Sequence, residues 1–441
     1  MHFFSDQGRL EAARRLFEQI GALTDLPFSI RLWDGSLIPL SQSADKEFFL
    51  SLSGPGVIGS LLRRPTYENL LLHYAQGHID LQGDLLDFAA LIRARRSKKS
   101  LRKISRLALL KNALPLLFTP AGTGAIAHRY RDDATGRREA RRNNKDFIQF
   151  HYDLGNDFYA LFLDKEMQYS CGYFTRADHS LDRAQLDKLE MICRKLRLQP
   201  GEKLLDIGCG WGGLICYAAR HYGVQAHGIT LSQQQHDFTR DKIQKLGLEG
   251  RVSVELRDYA TLAGSYDKIA SIGMFEHIGI ANMPRYFSKI NALLRDRGLL
   301  LNHGISRHAK PTRRAVRKIR PERRLLLKYI FPGSELDNLG HTIDLLEMRG
   351  FEVHDVEAWR EHYGLTTKHW YRRLKANQEE AIRLVGPEKF RLWGLYLAGV
   401  SLGFTDGSMH ICQVVATKHA AKGPSGLPLT RADLCLPGCE P

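Results

Sequence analysis

The chain has 441 residues, 43% hydrophobic and 25% charged, the composition of a soluble globular enzyme with room for two or three domains. No window approaches the ~18 uninterrupted apolar residues of a membrane span, the start MHFFSDQGRLEAARR is no signal peptide, and the seven cysteines form no CxxC pair or zinc-like cluster, so a cytoplasmic, reduced, metal-free protein is expected. The formal charge of +16 is local: residues 93–111, 129–145 and 307–328 hold 26 Lys/Arg against 4 Asp/Glu and leave the rest at −6, which points to a polyanionic partner.

Residues 1–114 read as a separate, smaller α/β domain. A helical period runs through GRLEAARRLFEQI, alternation follows in FSIRLW, Asp34 and Gly35 mark a turn, and mixed helices lead to GDLLDFAALI. Pro115, Pro120, Gly122 and Gly124 punctuate a basic linker placed at 115–145. A second domain is placed at 146–418. There the short apolar runs KLLDI, QAHGI, VSVEL, YDKIASI and GLLLNHGI alternate with helical segments at 211–222, 232–246 and 282–295. That is the βαβ signature of a doubly wound, mostly parallel α/β sheet. SMHICQVVATK reads as a last strand able to pair antiparallel, and the Gly- and Pro-rich tail 419–441 reads as disordered.

The stretch LLDIGCGWGGL (204–214) sets Gly208, Gly210 and Gly212 between a strand and a helix, where glycine allows a tight turn and close approach of backbone to a ligand. A dinucleotide site spaces its third glycine for a pyrophosphate. Here Asp206 ends the strand just before the glycines, as in class I S-adenosylmethionine (SAM) methyltransferases, and an acidic residue suits a ligand with an ammonium and a sulfonium. The next strand ends in GITLSQQQ without the acidic residue that usually holds ribose hydroxyls, which leaves that work to Thr230 and Gln235.

Taken together, HYDLGNDFYALFLDKEMQYSCGYF, LLDIGCGWGGL, GITLSQQQ, IGMFEHIG and KYIFPG resemble the cyclopropane fatty acid synthase family, which includes the mycolic acid cyclopropane synthases. The resemblance covers about 145–417, and the leading unit is similar to the N-terminal domain of the longer bacterial members. It implies a class I, Rossmann-like methyltransferase fold with a seven-stranded sheet. It also implies an activity: transfer of a methyl(ene) group from SAM to the cis double bond of an unsaturated acyl chain in a membrane phospholipid, through a carbocation, with bound bicarbonate as the base. The bicarbonate site implied is Cys171, Glu276, His303, Ile305 and Tyr363, with Cys171 acting mainly through its backbone. The SAM positions implied are Tyr169, Ser170, Asp206, Gly208, Gly210, Gly212, Thr230, Leu231, Gln235 and Tyr259. His277, beside Glu276, is read as a residue that packs or hydrogen-bonds without chemistry.

The charge distribution leads us to expect a peripheral enzyme whose basic stretches and N-terminal unit dock it on an anionic membrane surface, and the resemblance allows a homodimer. Nucleic acid is not an expected partner, since neither an N/D-PP-Y/F motif nor a basic and aromatic platform is present. Departures from the family pattern fall at HGIS (303–306), preceded by Asn302, beside the histidine that the resemblance assigns to bicarbonate, so that they bear on the fate of the cation, and at Val400, where many relatives carry a cysteine. A methyl- or methylene-branched product is the alternative outcome.

Overall fold

The computed structural model describes residues 5–24, 26–45, 47–94, 106–120, 124, 126–136, 144–152, 154–312, 319–420 and 422–434. The chain divides into two compact units, one formed by 1–129 with 385–398 and the other by 130–384 with 399–441.

In the first unit the elements run α1 (Asp6–Leu23), β1 (Ser29–Arg31), β2 (Leu37–Pro39), β3 (Phe49–Leu52), α2 (Pro55–Arg63), α3 (Tyr67–Ala75), β4 (Ile79–Gln82), α4 (Leu85–Ala94) and α5 (Arg106–Leu117). The Ser5 hydroxyl caps α1 by accepting from the Gly8 N–H at 3.1 Å. The strands form a sheet in the order β2-β1-β3-β4, in which β1 and β3 are parallel. Its core joins Ala13 and Leu16 of α1, Ile30, Ile38 and Leu52 of the strands, Val57 and Ile58 of α2, and Leu116 of α5. Because α5 continues through Pro115 and Leu116 is fully buried, this core reaches past the point at which the sequence suggested that a linker begins.

The second unit runs α6 (Asn144–Tyr152), α7 (Asn156–Ala160), α8 (Leu181–Lys195), β5 (Lys203–Ile207), α9 (Gly213–Tyr222), β6 (Gln225–Thr230), α10 (Gln233–Lys245), β7 (Val252–Leu256), β8 (Tyr266–Ile272), α11 (Phe275–Ile278), α12 (Met283–Leu293), β9 (Leu294–Ser306), α13 (Pro321–Tyr329), α14 (Leu339–Met348), β10 (Phe351–Ala358), α15 (Arg360–Ala376), α16 (Gln378–Val385), α17 (Pro387–Thr405) and β11 (His410–Lys418). The first turns of α17 group with the first unit. Seven strands form one sheet in the order β10-β11-β9-β8-β5-β6-β7. β7, β6, β5, β8 and β9 are parallel, and β11 pairs antiparallel with both β9 and β10, as the last apolar run suggested.

Adjacent apolar residues of each strand serve opposite faces, as a sheet covered on both sides requires. Leu204, Ala226, Ala270, Leu301 and Val415 pack with α8 and α9, whereas Leu205, Ile229, Ile269, Leu300 and Val414 pack with α12 and α14. The described part of the tail is not structureless: Leu427 packs on the α8/α9 side, and Arg431–Asp355 (3.0 Å) and Arg197–Asp433 (2.8 Å) tie it down. Among the described residues no helix is long and apolar enough to cross a membrane.

Candidate active site

The strand order reverses at β5, with β6 and β7 on one side and β8 and β9 on the other, and a crevice opens at the carboxyl ends of strands at such a point. A partly open cavity lies there. It is lined by Tyr169, Ser170, Asp206, Gly208, Gly210, Thr230, Leu231, Gln235 and Tyr259 among the residues expected from the sequence. Gly208, Gly210 and Gly212 all have positive φ (81°, 55° and 76°), so the loop needs glycine for its backbone. They differ in what they face. A Cβ on Gly210 would meet nothing within 4 Å, whereas one on Gly212 would come within 2.5 Å of Thr239 Cγ2 and one on Gly208 within 2.8 Å of Met274 Cγ. Gly212 lies outside the lining: it starts α9 and lets α10 approach.

The charges of the cavity are buried. Asp206 is 3% exposed, its Oδ1 has no hydrogen-bond partner among the described residues, and burial raises its carboxyl to about 7 against the pull of the Lys188 ammonium. Lys188 projects from α8, donates to Ser170 Oγ at 3.0 Å and to Gln168 Oε1, and is lowered by burial to about 8. Thr230 Oγ1 donates to Gln235 Oε1 at 2.8 Å, which fixes both at the end of β6. The lining also takes in Gln168, Lys188, Trp211, Arg257, Met274 and His277, which the sequence reading did not assign to the cofactor. For Lys188 the signal was its spacing: with Ala184, Leu189 and Ile192 it falls on the buried stripe of α8.

The cavity is bordered by aromatic rings. Tyr169 stacks on Trp370 (5.0 Å) and on His151 (5.6 Å), Trp211 packs on Tyr159 (5.1 Å) and Tyr152 (5.9 Å), and Phe331 lies between His151 (4.1 Å) and His277 (4.7 Å). His277 thus packs on Phe331 and also lines the cavity.

Cys171, Glu276, His303, Ile305 and Tyr363 do not line this cavity; they form two groups near it. Glu276, on the short α11 that follows the Gly273–Met274 wall, accepts from the Ile305 N–H at 2.5 Å. Its Oε2 has no partner among the described residues, and burial raises the carboxyl to about 7. The second group gathers around Trp359. His303 meets that ring edge-on at 5.1 Å, Cys171 Sγ lies 3.7 Å from its carbonyl oxygen, and Tyr363 sits one turn further along α15. Tyr363 packs on Trp370 at 5.9 Å, and Trp370 in turn stacks on Tyr169 of the cavity. Full burial pushes the Cys171 thiol well up, so this site offers no ready thiolate. Burial and the nearby charges of Lys188 and Lys195 hold His303 neutral.

The mycolic acid cyclopropane synthetase family matches residues 139–414. A "Probable fatty acid methyltransferase" of Pseudomonas putida is 36% identical over 414 residues, covering 93% of this chain and 96% of its own. The cyclopropane-fatty-acyl-phospholipid synthase of Escherichia coli (strain K12) is 36% identical over 273 residues, 62% of this chain and 68% of that one. Among solved structures, mycolic acid cyclopropane synthase CmaA1 complexed with SAH and CTAB is similar with a TM-score of 0.59 at 33% identity, covering 63% of this chain and 99% of that one.

Proposed function

This chain belongs to the mycolic acid cyclopropane synthetase family of SAM-dependent, lipid-modifying methyltransferases, and from that premise we propose that it forms cyclopropane rings at cis double bonds of acyl chains in membrane phospholipids. What carries this reading is the meeting of a cofactor crevice with an aromatic border and, just past it, the buried Glu276 carboxyl with one free oxygen.

The residues present fit SAM. Gly210 leaves room for a close ligand, and the unpartnered Asp206 oxygen suits a ligand bearing an ammonium and a sulfonium. When bound, SAM supplies an electrophilic methyl group. The chain's own work is then to orient, to exclude water and to tolerate positive charge on the acyl chain. Tyr169, Trp211 and Tyr152 line the cavity with aromatic rings, whose π-systems suit a cation, and an alkene needs no base before it attacks. The proton that leaves on ring closure needs an acceptor, which bicarbonate would supply. The free Glu276 Oε2 and His303 Nε2 are the polar atoms suited to that anion, with Cys171, Ile305 and Tyr363 as the surrounding frame. Glu276, titrating near 7, can hold or release a proton at Oε2.

A second reading keeps the same cofactor and lipid but ends in a methyl- or methylene-branched chain. It is favoured by the P. putida relative, similar over 93% of this chain, and by the buried Asn302 beside His303, whose Oδ1 has no partner among the described residues.

Docking at the anionic inner face of the membrane is part of the proposal. In the first unit Leu62, Tyr67, Leu70, Leu114 and Phe118 are exposed on or next to α2, α3 and α5, near the exposed Arg63 and Arg64. Much of the three basic stretches (95–105, 137–143 and 313–318) lies outside the described residues.

The test is to incubate the protein with methyl-deuterated SAM and vesicles of cis-unsaturated phospholipid, then to analyse the fatty acid esters by mass spectrometry. A saturated ring retaining two deuteriums is the expected product. A branch retaining all three, or an exocyclic methylene, selects the second reading, and no incorporation overturns the substrate.

A further inference from the structure

We propose that Lys195 and Gln413 are positioning residues that lock His303 in its Nε2–H tautomer and present that N–H as a hydrogen-bond donor to an anion.

The lock is built across the sheet. Gln413 of β11 stands directly opposite His303 of β9 and Glu357 of β10, so the three side chains form a row on one face of three neighbouring strands. That face is the one covered by α8, whose last turn drops Lys195 onto the row. Lys195 is 2% exposed, ion-paired with Glu357 and 3.7 Å from Asp355, and its ammonium lies over the Trp359 ring at 5.4 Å. Its Nζ donates to Gln413 Oε1 at 2.8 Å.

The proton inventory then has one solution. An ammonium has donors and no acceptor, so the Gln413 oxygen must face Lys195 and the amide cannot be turned end for end. The Gln413 NH₂ is left to face His303 Nδ1 at 3.1 Å, and there it can only donate. Nδ1 is therefore the bare nitrogen. A neutral imidazole in this place carries its proton on Nε2, which is fully buried without a partner among the described residues. Burial and the positive charges of Lys188 and Lys195 keep the ring from taking a second proton.

Resting on the function proposed above, this makes His303 a donor to the bound anion and removes it as a candidate base. Lys195 and Gln413 act through His303 and reach neither cofactor nor lipid in this account.

The experiment is long-range ¹H–¹⁵N correlation of the full chain labelled with [¹⁵N]histidine, with the His303 signals assigned by their loss in His303→Gln. The expected result is a neutral ring protonated at Nε2 and bare at Nδ1. Gln413→Glu replaces the amide donor by an acceptor and is expected to move the proton to Nδ1. In that variant kcat for the lipid should fall roughly 10²-fold with the KM for SAM unchanged. Lys195→Met frees the amide to turn and is expected to give a mixture of tautomers. A wild-type ring protonated at Nδ1, or an unchanged tautomer in Gln413→Glu, overturns the inference. Should Gln413→Glu not fold, as judged by its thermal response to SAH, the wild-type spectrum and Lys195→Met decide. A wild-type protein with the expected tautomer that makes no lipid product leaves this inference standing and overturns the function instead.

Discussion

On the proposed function, Asp206 should couple SAM binding to pH. Its carboxyl is raised from an ordinary 3.8 to about 7 by burial, so the folded protein without SAM keeps a proton there that the unfolded chain has already released. The corresponding stability is present below about 3.8 and is lost as pH rises through about 7. SAM bound there would place positive charge in the same cavity and favour the ionised carboxylate, so its affinity should climb between about pH 5.5 and 7, by up to tenfold per unit. Lys188, lowered to about 8, still carries its charge over that range and so does not reverse the sign. Calorimetric titration of wild type against Asp206→Asn checks this; a variant with the wild-type slope would exclude Asp206 as the coupled group. Glu276 makes a separate claim. With Oε1 already taken by the Ile305 N–H, glutamine at this position would present an amide that can neither take nor release a proton. Glu276→Gln should therefore lower kcat roughly 10²-fold or more while SAM affinity stays as it was, by rate assay and calorimetry on the same preparation.

The glycine loop between β5 and α9 separates two uses of one residue type. Gly212→Ala meets both a positive φ and Thr239 at 2.5 Å, and overpacking against an unfavourable backbone should cost roughly 2–4 kcal/mol of stability. Gly210→Ala has the positive φ but open space, so it should cost only about 1–2 kcal/mol. Its added methyl points toward the cavity and should weaken SAM binding more than Gly212→Ala does. Melting curves with and without SAM distinguish the two, and equal losses on both axes would refute the division of labour. The sequence marked all three glycines, since strand–GxG–helix is a local pattern, but it could not say which neighbour each one meets, because Thr239 and Met274 arrive from other elements. The strands were legible for the same local reason: buried parallel strands read as apolar runs such as KLLDI and YDKIASI. Lys188 was not, because a helical lysine reads as a solvated one until its place on the buried stripe is noticed. Nor was the Lys195–Gln413–His303 row, which joins residues 218 and 110 positions apart through sheet register alone.

At the scale of the molecule, the tail shows where composition misleads. Gly- and Pro-rich sequence reads as disorder, yet one apolar side chain and two ion pairs hold the described residues 422–434 on the second unit. The charge distribution leads to a firmer expectation. Three basic stretches on an otherwise mildly acidic chain would draw the protein to anionic bilayers, with each nearby Lys/Arg contributing about 1 kcal/mol, and the attraction would fade with added salt. Charge alone does not fix an orientation. Exposed apolar side chains at Leu114 and Phe118 supply one, since moving such a side chain out of water is worth ~1.5–3 kcal/mol when complete. Leu114→Ser and Phe118→Ser together should thus weaken binding to phosphatidylglycerol vesicles roughly tenfold or more by co-sedimentation, while SAM binding in the second unit is unchanged. Raising salt should weaken wild type and variant by the same factor, because the substitutions remove apolar area and leave the charge in place. Vesicle binding indifferent to both salt and anionic lipid would mean that the basic stretches serve some other partner and that the lipid reaches the site by another route.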